Sequence, residues 1–341
     1  MITNVIQIGL GPIGLDTAQN VLSHPQLRLV AAVDPAPDKS GGSLSGLIQN
    51  NDVINNTDEV TVYPSLEKAL ASIRQNPDIA LHTTGSFLED VTPQIVELVQ
   101  NGMNVVSTTE ELSYPWWHHP DEAKRIDETA KQNNVTVLGT GVNPGFVMDL
   151  FPVFISGIAS SVESVYAKRV VNAEERRAPL KKKIGAGLRV EEFNQLETAG
   201  KFGHIGLAES VAMIAAALGW QLSEITGELN PKVANLNYES PGIKVPKGNV
   251  LGIDQTAIGY DREDNERIRL HLEMYVGAQH THDTIKLAGD PQLCVTVENG
   301  ISGDLATVSA VVNYIPIVTN ASPGLKTALE LPVPRWFGLN K

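Results

Sequence analysis

The chain has 341 residues, of which 42% are hydrophobic and 19% are charged, an ordinary composition for a globular protein. Its length corresponds to roughly two domains. The 26 basic and 39 acidic residues give a net charge of −13. Such a charge repels phosphates and anionic headgroups, so it argues against nucleic acid and membranes as partners.

Targeting signals are not evident in the sequence. The N-terminus lacks a basic segment followed by a long apolar stretch, and no segment has the roughly 20 apolar residues that a membrane helix needs. We therefore expect a cytoplasmic protein. One cysteine, Cys294, lies in an apolar run, which predicts that it is buried in the core.

Short apolar runs alternate with helical patterns in the first third of the chain. Strands are predicted at 5–8, 27–33, 79–83, 105–107 and 135–138, and helices at 14–23, 66–74, 91–101 and 120–132. This alternation predicts an α/β domain whose parallel sheet is covered on both faces.

The pattern changes after residue 145. Strands are predicted at 162–171, 250–258, 268–276, 284–288 and 293–297, and helices at 190–197 and 207–218. This pattern indicates a second, α+β domain with a mixed or antiparallel sheet. We expect a helix at 304–314 to return to the first domain, while the Pro-rich segment 316–334 cannot form a continuous helix. The first domain is thus predicted at 1–145, completed by 304–341, and the second at 146–303.

A glycine-rich turn joins the first predicted strand to the first predicted helix. Its sequence is Gly9-Leu10-Gly11-Pro12-Ile13-Gly14, a G-x-G-x-x-G motif. Gly9 permits the tight turn, Gly11 allows a pyrophosphate to approach the backbone, and Gly14 allows the helix to pack closely on the strand. The helix that begins near Pro12 directs its unpaired N–H groups at the phosphates. The motif therefore predicts a Rossmann-type dinucleotide-binding domain.

Two further strand ends bear on the cofactor. Asp34 follows Gly14 by about 20 residues, the spacing of a carboxylate that binds the adenosine ribose, and it favours NAD over NADP. Lys39 can offset repulsion of a 2′-phosphate, so use of both cofactors stays open. Thr83, Thr84 and Gly85 end another strand, where the hydroxyls either face the nicotinamide or form local turn hydrogen bonds.

Glu110 and Glu111 follow the strand at 105–107. A carboxylate that is partly buried among apolar side chains suits the general acid/base that moves the proton accompanying a hydride. Either glutamate can instead compensate the dipole of the following helix. The spacing does not choose between the two.

Other polar segments have weaker signals. In the glycine-rich loop 139–146, the Asn143 amide can donate and accept hydrogen bonds to a ligand, although the loop can also be a hinge. The adjacent His118 and His119 lack spaced acidic or thiol partners, so no metal site is predicted. The basic segment 176–183 either binds an anion or is a solvated loop. His204, which precedes a helix, either faces a pocket or is structural.

Several of these segments together resemble the 2,4-diaminopentanoate dehydrogenases and the native amine dehydrogenases, with dihydrodipicolinate reductase as a more distant relative. The resemblance covers nearly the whole chain and is strongest in the middle motifs. The segments are Gly9–Gly14, Glu110–Pro115, Gly141–Phe146, Lys183–Gly187 and Gly303–Thr307.

This resemblance implies a homodimer that pairs through the second domain. It also implies NAD(P)-dependent oxidative deamination of an amine to a carbonyl and ammonia, with reductive amination as the reverse. Glu110 would be the acid/base that activates water for attack on the imine carbon, and Asn143 would shape the pocket near the nicotinamide. Further candidates for the pocket are Phe146, Arg169, His204 and His271.

The sequence shows no clear pair of basic residues for a substrate carboxylate, which favours simple amines, aldehydes and ketones over amino acids. Two other functions stay open. One is a reductase of a cyclic imine or C=C bond, which ammonia dependence would distinguish. The other is a nonenzymatic dinucleotide sensor, for which replacement of Glu110 would change little.

Overall fold

The computed structural model describes residues 2–48, 59–174, 178–198, 200 and 202–338. These residues fall into two compact units, Met1–Gly145 with Gly303–Lys341, and Phe146–Ser302. Within the part of the chain so described, every helix is too short or too polar to cross a membrane.

The helices and strands are numbered in chain order. The helices are α1 Pro12–Ser23, α2 Leu66–Ser72, α3 Leu88–Gln100, α4 Pro120–Gln132, α5 Leu150–Ser156, α6 Ala178–Lys183, α7 Val190–Thr198, α8 Leu207–Leu218 and α9 Gly303–Val318. The strands are β1 Thr3–Ile8, β2 Leu27–Val33, β3 Val62–Tyr63, β4 Ile79–His82, β5 Asn104–Ser107, β6 Thr136–Gly139, β7 Ser161–Asn172, β8 Leu222–Val233, β9 Tyr238–Ser240, β10 Ile243–Val245, β11 Val250–Asp261, β12 Glu266–Tyr275, β13 His282–Asp290, β14 Leu293–Glu298 and β15 Gly324–Lys326.

The first unit is built on a seven-stranded sheet in the order β15-β6-β5-β4-β1-β2-β3, and all of its strand pairs are parallel. Every residue of β4 and of β6 is buried, because helices such as α1, α3, α4 and α9 cover this sheet. Burial on both faces explains why these strands are nearly continuous apolar runs in the sequence. The carboxyl ends of β1, β4 and β5 lie side by side, which brings the predicted cofactor segments to one edge.

The second unit is built on a six-stranded sheet in the order β14-β13-β7-β12-β11-β8. β12 pairs with β7 in parallel and the other neighbours are antiparallel, so the sheet is mixed. α8 packs on one face of it, where Gly259 leaves room for the helix: a Cβ at this position would lie 2.7 Å from Val211 Cγ1. The predicted fold class, a Rossmann-type domain plus an α+β domain, is confirmed.

Cys294 is exposed, so the prediction of a buried cysteine is wrong. β14 is an edge strand whose residues alternate between half-buried and exposed positions, and Cys294 points to the exposed side. Cys294 lies opposite Lys286, which is also exposed. Because successive side chains of a strand point to opposite faces of the sheet, part of an apolar run can lie outside the core.

The C-terminal segment differs in detail from its prediction. α9 continues past Pro316 to Val318, because a proline in the last turn removes only one backbone hydrogen bond. Beyond Val318 the Pro-rich segment forms no further helix in its described part, as predicted. Three of its residues form β15, a strand that the sequence pattern did not indicate.

Candidate cofactor and active site

The glycine-rich turn between β1 and α1 has the backbone that its sequence requires. Gly9 has a φ of +85°, and a Cβ at Gly14 would lie 2.0 Å from the carbonyl oxygen of Gly9. A Cβ at Gly11, in contrast, would have no described atom within 4 Å, so the backbone there faces open space. Gly11 is the N-cap of α1. The first helical residue, Pro12, has no N–H, so Ile13 supplies the first N–H of the helix. A bare backbone beside a helix N-terminus fits a dinucleotide pyrophosphate.

The Asp34 carboxylate is buried at the end of β2. Its Oδ2 accepts hydrogen bonds from Leu10 N (2.8 Å) and Lys39 Nζ (3.0 Å), and its Oδ1 accepts one from Ala36 N (3.0 Å). Burial raises the pKa of Asp34, but the two backbone hydrogen bonds and Lys39 together bring this pKa below its usual value. Asp34 is therefore a charged acceptor beside the glycine-rich turn.

The hydroxyls of Thr83 and Thr84 make hydrogen bonds inside the first unit. Thr83 Oγ1 donates to Gly9 O (3.0 Å) and accepts from Gln7 Nε2 (2.9 Å). Thr84 Oγ1 lies 2.8 Å from His82 Nε2 and 2.9 Å from Gln94 Oε1. The Thr83 bond to Gly9 fixes the turn after β4 against the glycine-rich turn, and the Thr84 bonds hold the same turn against β4 and α3.

Gln7 and His82 were not predicted as part of the site. Both are fully buried, and each is a polar residue that directly follows a run of buried apolar residues in its strand. Because a buried polar group is costly without a hydrogen-bond partner, this interruption is the signal that would have found them.

The two neighbouring glutamates have different surroundings. They begin a 3-10 helix at Glu110–Ser113, directly after β5. Glu111 Oε2 accepts a hydrogen bond from Leu88 N at 2.6 Å and lies 3.2 Å from His119 Nε2. Glu111 thus satisfies the first amide of α3 and forms an ion pair whenever His119 is protonated. Glu110 is half-buried at the same strand end.

The 3-10 helix lies directly against the end of β6. A Cβ at Gly139 would be 2.4 Å from the carbonyl carbon of Leu112, so only glycine permits this approach. The next loop is tied to α9, because Val142 N donates to Thr307 Oγ1 at 3.3 Å. Asn143, which is half-buried, lies in this loop and precedes a cis peptide bond to Pro144.

Arg169, His204 and Phe146 belong to the second unit. The Arg169 guanidinium is buried, donates to Ile301 O and lies 3.5 Å from Asp283 Oδ2. The backbone N–H and C=O of His204 are both bonded to the Gln255 side chain at 2.9 Å. Phe146 stacks on Phe151, with 6.1 Å between ring centroids.

Arg169 and His204 also influence each other electrostatically. Burial and the positive charges of Lys183 and Arg169 lower the pKa of His204 to about 3, so its imidazole is neutral at physiological pH. The charges of Arg169 and Lys183 thus act on the His204 ring, an influence that sequence spacing did not reveal. Of the basic segment 176–183, Arg176 and Arg177 lie outside the described residues.

His271 lies on the other face of the sheet from Arg169. Along β12 side chains alternate, and His271 pairs with Lys168 while Leu272 pairs with Arg169. His271 Nε2 lies 2.8 Å from Asp254 Oδ1, and Glu273 lies beside it. The structure does not bring His271 together with Arg169 and His204.

The side chains of Asp254, His271 and Glu273 have potential metal-ligand atoms within 4.8 Å of one another. Lys168 Nζ and Lys232 Nζ, however, lie 2.5 and 2.6 Å from the Glu273 carboxylate. Burial raises the pKa of Glu273, but the two lysines outweigh it and lower this pKa to about 2. The two lysines thus already supply positive charge to these carboxylates, and the cluster is an ion-pair network.

Comparison with known proteins agrees with this architecture. The family model described as "2,4-diaminopentanoate dehydrogenase C-terminal domain" matches residues 146–339. The chain is 33% identical to a 2,4-diaminopentanoate dehydrogenase of Acetoanaerobium sticklandii, with 97% of this chain and 94% of that protein covered. It is 22% identical to an amine dehydrogenase of Streptomyces virginiae, with 98% and 97% covered.

Solved structures show the same fold. An amine dehydrogenase from Mycobacterium smegmatis superimposes with a TM-score of 0.85 at 24% identity, over 98% of this chain and 97% of that one. A dihydrodipicolinate reductase from Paenisporosarcina sp. TG-14 gives a TM-score of 0.54 at 18% identity, over 97% and 99%. The family predicted from the sequence is confirmed: the chain is a dehydrogenase that belongs to the 2,4-diaminopentanoate dehydrogenase family.

Proposed function

We propose that this protein is an NAD(P)-dependent amine dehydrogenase. It oxidises a small amine to an aldehyde or ketone and ammonia, and it catalyses reductive amination in reverse. The names of its relatives support this reaction. The observation that carries the proposal is the position of Glu110: it begins the 3-10 helix directly after β5, and β5 ends beside β4 and β1 at the edge that carries the glycine-rich turn. The neighbouring Glu111 accepts from Leu88 N at the start of α3.

A nicotinamide dinucleotide, when bound, would supply the acceptor for the hydride of the amine carbon. Glu110 then removes a proton from water as the water oxygen bonds to the imine carbon, and it delivers that proton to the departing nitrogen. In sum, amine, water and oxidised cofactor yield carbonyl, ammonia, reduced cofactor and one proton. In reverse, Glu110 holds ammonia and relays its protons.

The residues that would hold the cofactor lie in the first unit and share a position at the carboxyl edge of the parallel sheet. They are Gly9, Gly11, Pro12, Ile13, Gly14, Asp34, Thr83, Thr84 and Gly85. NAD is the preferred cofactor, because Asp34 is charged and would repel a 2′-phosphate. Lys39, 3.0 Å from Asp34, permits some use of NADP.

Asn143 is proposed to shape the substrate pocket, and Phe146, Arg169 and His204 are further candidates for contact with the substrate. His271, also a candidate from the sequence, lies on the opposite face of the sheet from Arg169. The protein is proposed to work in the cytoplasm as a homodimer that pairs through its second unit. Light scattering on the purified protein would measure the dimer directly.

The test compares Glu110→Gln with Glu111→Gln in an assay of reductive amination. Glu110→Gln should lower kcat by roughly 100-fold or more while cofactor affinity is unchanged, because the general acid/base is lost. Glu111→Gln keeps an oxygen for Leu88 N and should retain most of the activity. Equal activity of Glu110→Gln and the wild type would contradict the role of Glu110 and favour a nonenzymatic dinucleotide sensor.

A further inference from the structure

A chain of buried polar side chains connects the ends of β4 and β5 in the first unit. It consists of His82, Ser107 and Thr109, none of which exposes more than 1% of its surface. The last member immediately precedes Glu110. Buried polar groups of this kind are expected to be fully hydrogen-bonded, so the direction of each bond can be derived.

Because each hydroxyl has a single proton, the hydrogen bonds of this chain all run in one donor-to-acceptor direction. Thr109 Oγ1 donates to Gly85 O at 2.9 Å, and Ser107 Oγ donates to Thr109 Oγ1 at 2.9 Å. Since a hydroxyl has a single proton, Ser107 must accept from His82 Nδ1, which lies 2.9 Å away. His82 is therefore assigned the tautomer that carries its proton on Nδ1.

The state of His82 agrees with this direction. Burial lowers the pKa of His82 to about 4, so the ring is neutral at physiological pH and has one N–H. Its Nε2 must then accept, yet Gln94 Oε1, also an acceptor, lies 3.2 Å from Nε2 and 2.9 Å from Thr84 Oγ1. The assignment therefore requires the Gln94 amide to be turned about its terminal bond. Its nitrogen then donates to Nε2 and to Thr84 Oγ1, and Thr84 Oγ1 donates to Nε2 over 2.8 Å.

The chain ends on the turn after β4, whose residues Thr83–Gly85 are part of the proposed cofactor site. Thr109 fixes that turn through the carbonyl of Gly85, and Thr83 fixes it from the other side through the carbonyl of Gly9. The strands do not require these side-chain bonds for their register. Backbone bonds from Thr108 N to His82 O and from Thr140 N to Ser107 O already join the strand ends.

We propose that Thr109, oriented by His82 and Ser107, is a positioning residue that holds the Thr83–Gly85 turn at a fixed separation from Glu110. Its hydroxyl then determines how the nicotinamide faces the acid/base carboxylate. The proposal rests on the proposed function, because it assumes that this turn holds the nicotinamide. A displacement of about 1 Å between reacting groups can lower a rate by roughly 100-fold, so the bond to Gly85 has a kinetic consequence.

The test compares Thr109→Val, which removes the hydroxyl at nearly constant volume, with Thr109→Ser, which keeps it. NADH affinity and the fluorescence lifetime of bound NADH are measured first, followed by kcat and the isotope effect with NADH deuterated at the transferred position. For Thr109→Val we expect an NADH affinity within about threefold of the wild type, a bound-NADH lifetime closer to that of free NADH, and kcat lowered roughly 10- to 100-fold with a larger isotope effect. Thr109→Ser should behave like the wild type.

A folded Thr109→Val protein with wild-type lifetime and kcat would overturn the proposal. If this variant does not fold, Ser107→Ala replaces it, since it removes the donor that orients Thr109, and the same changes in lifetime and kcat are expected. A wild-type protein that binds NADH but shows no ammonia-dependent turnover would instead contradict the proposed function, and the lifetimes alone would then decide the role of Thr109. A wild-type protein that does not bind NADH would overturn both proposals.

Discussion

Asp34 is a residue whose sequence position and structural surroundings agree. It was predicted to bind the adenosine ribose from its distance to Gly14, and its carboxylate lies beside the glycine-rich turn, bonded to Leu10 N. Oδ1 accepts one bond in the structure, from Ala36 N, and a carboxylate oxygen can accept a second, for example from a ribose hydroxyl. The negative charge of Asp34 would repel a 2′-phosphate, whereas the positive charge of the nearby Lys39 would attract it.

Asp34→Asn should therefore shift cofactor preference toward NADPH. The variant keeps one acceptor oxygen but removes the charge that repels a 2′-phosphate, so the ratio of the two dissociation constants should move by roughly tenfold, or about 1.4 kcal/mol. Lys39→Gln should move the ratio the other way. Fluorescence titrations with NADH and NADPH measure both, and an unchanged ratio in Asp34→Asn would show that this carboxylate does not face the ribose.

Single residues were predictable where one local constraint determined them. The glycines of the cofactor turn were predicted from local backbone requirements, such as a tight turn and close packing, and their backbone has the geometry expected from the motif. Glu110 and Glu111 could not be distinguished, because the amide that Glu111 caps belongs to Leu88, 23 positions earlier. His82 and Thr109 were missed for the same reason: His82 bonds to Ser107, at the end of the neighbouring strand β5, and Thr109 bonds to Gly85, in the turn after β4.

At the level of elements, buried strands were easier to predict than those at the sheet edges. β1, β2, β4, β5 and β6 lie in the interior of the parallel sheet and each contains a short run of buried apolar residues, which the hydrophobic pattern detects. β15 has only three residues and pairs with β6 from nearly 200 positions away, with Leu325 opposite Val137. No local pattern indicates such a strand. The apolar run around Cys294 likewise does not reveal which side chains of edge strand β14 are exposed.

Although β15 is short, Leu325→Ala should strongly destabilise the first unit. Leu325 is 3% exposed and belongs to the core cluster of the parallel sheet, so its truncation should cost about 2–5 kcal/mol of unfolding free energy. Leu305, on α9 of the same unit, is 70% exposed, and Leu305→Ala should change stability by less than about 0.5 kcal/mol. Urea denaturation compares the two, and equal effects would mean that β15 is not part of the core.

At the level of the whole molecule, two observations support a dehydrogenase that uses a dinucleotide: the family membership and the glycine-rich turn. The similarity to the 2,4-diaminopentanoate dehydrogenase extends over nearly the whole chain, while the turn and Asp34 follow from the physics of dinucleotide binding. The reaction itself was predictable only through the resemblance, because a Rossmann-type sheet supports many reactions. Ammonia dependence separates an amine dehydrogenase from a reductase of a cyclic imine or C=C bond.

The most direct measurement is consumption of NADH or NADPH by the purified protein with short aldehydes, ketones and keto acids, each with and without ammonia. We expect oxidation of the reduced cofactor with at least one carbonyl compound, and only when ammonia is present. No consumption with any carbonyl, or consumption that is the same without ammonia, would contradict an amine dehydrogenase.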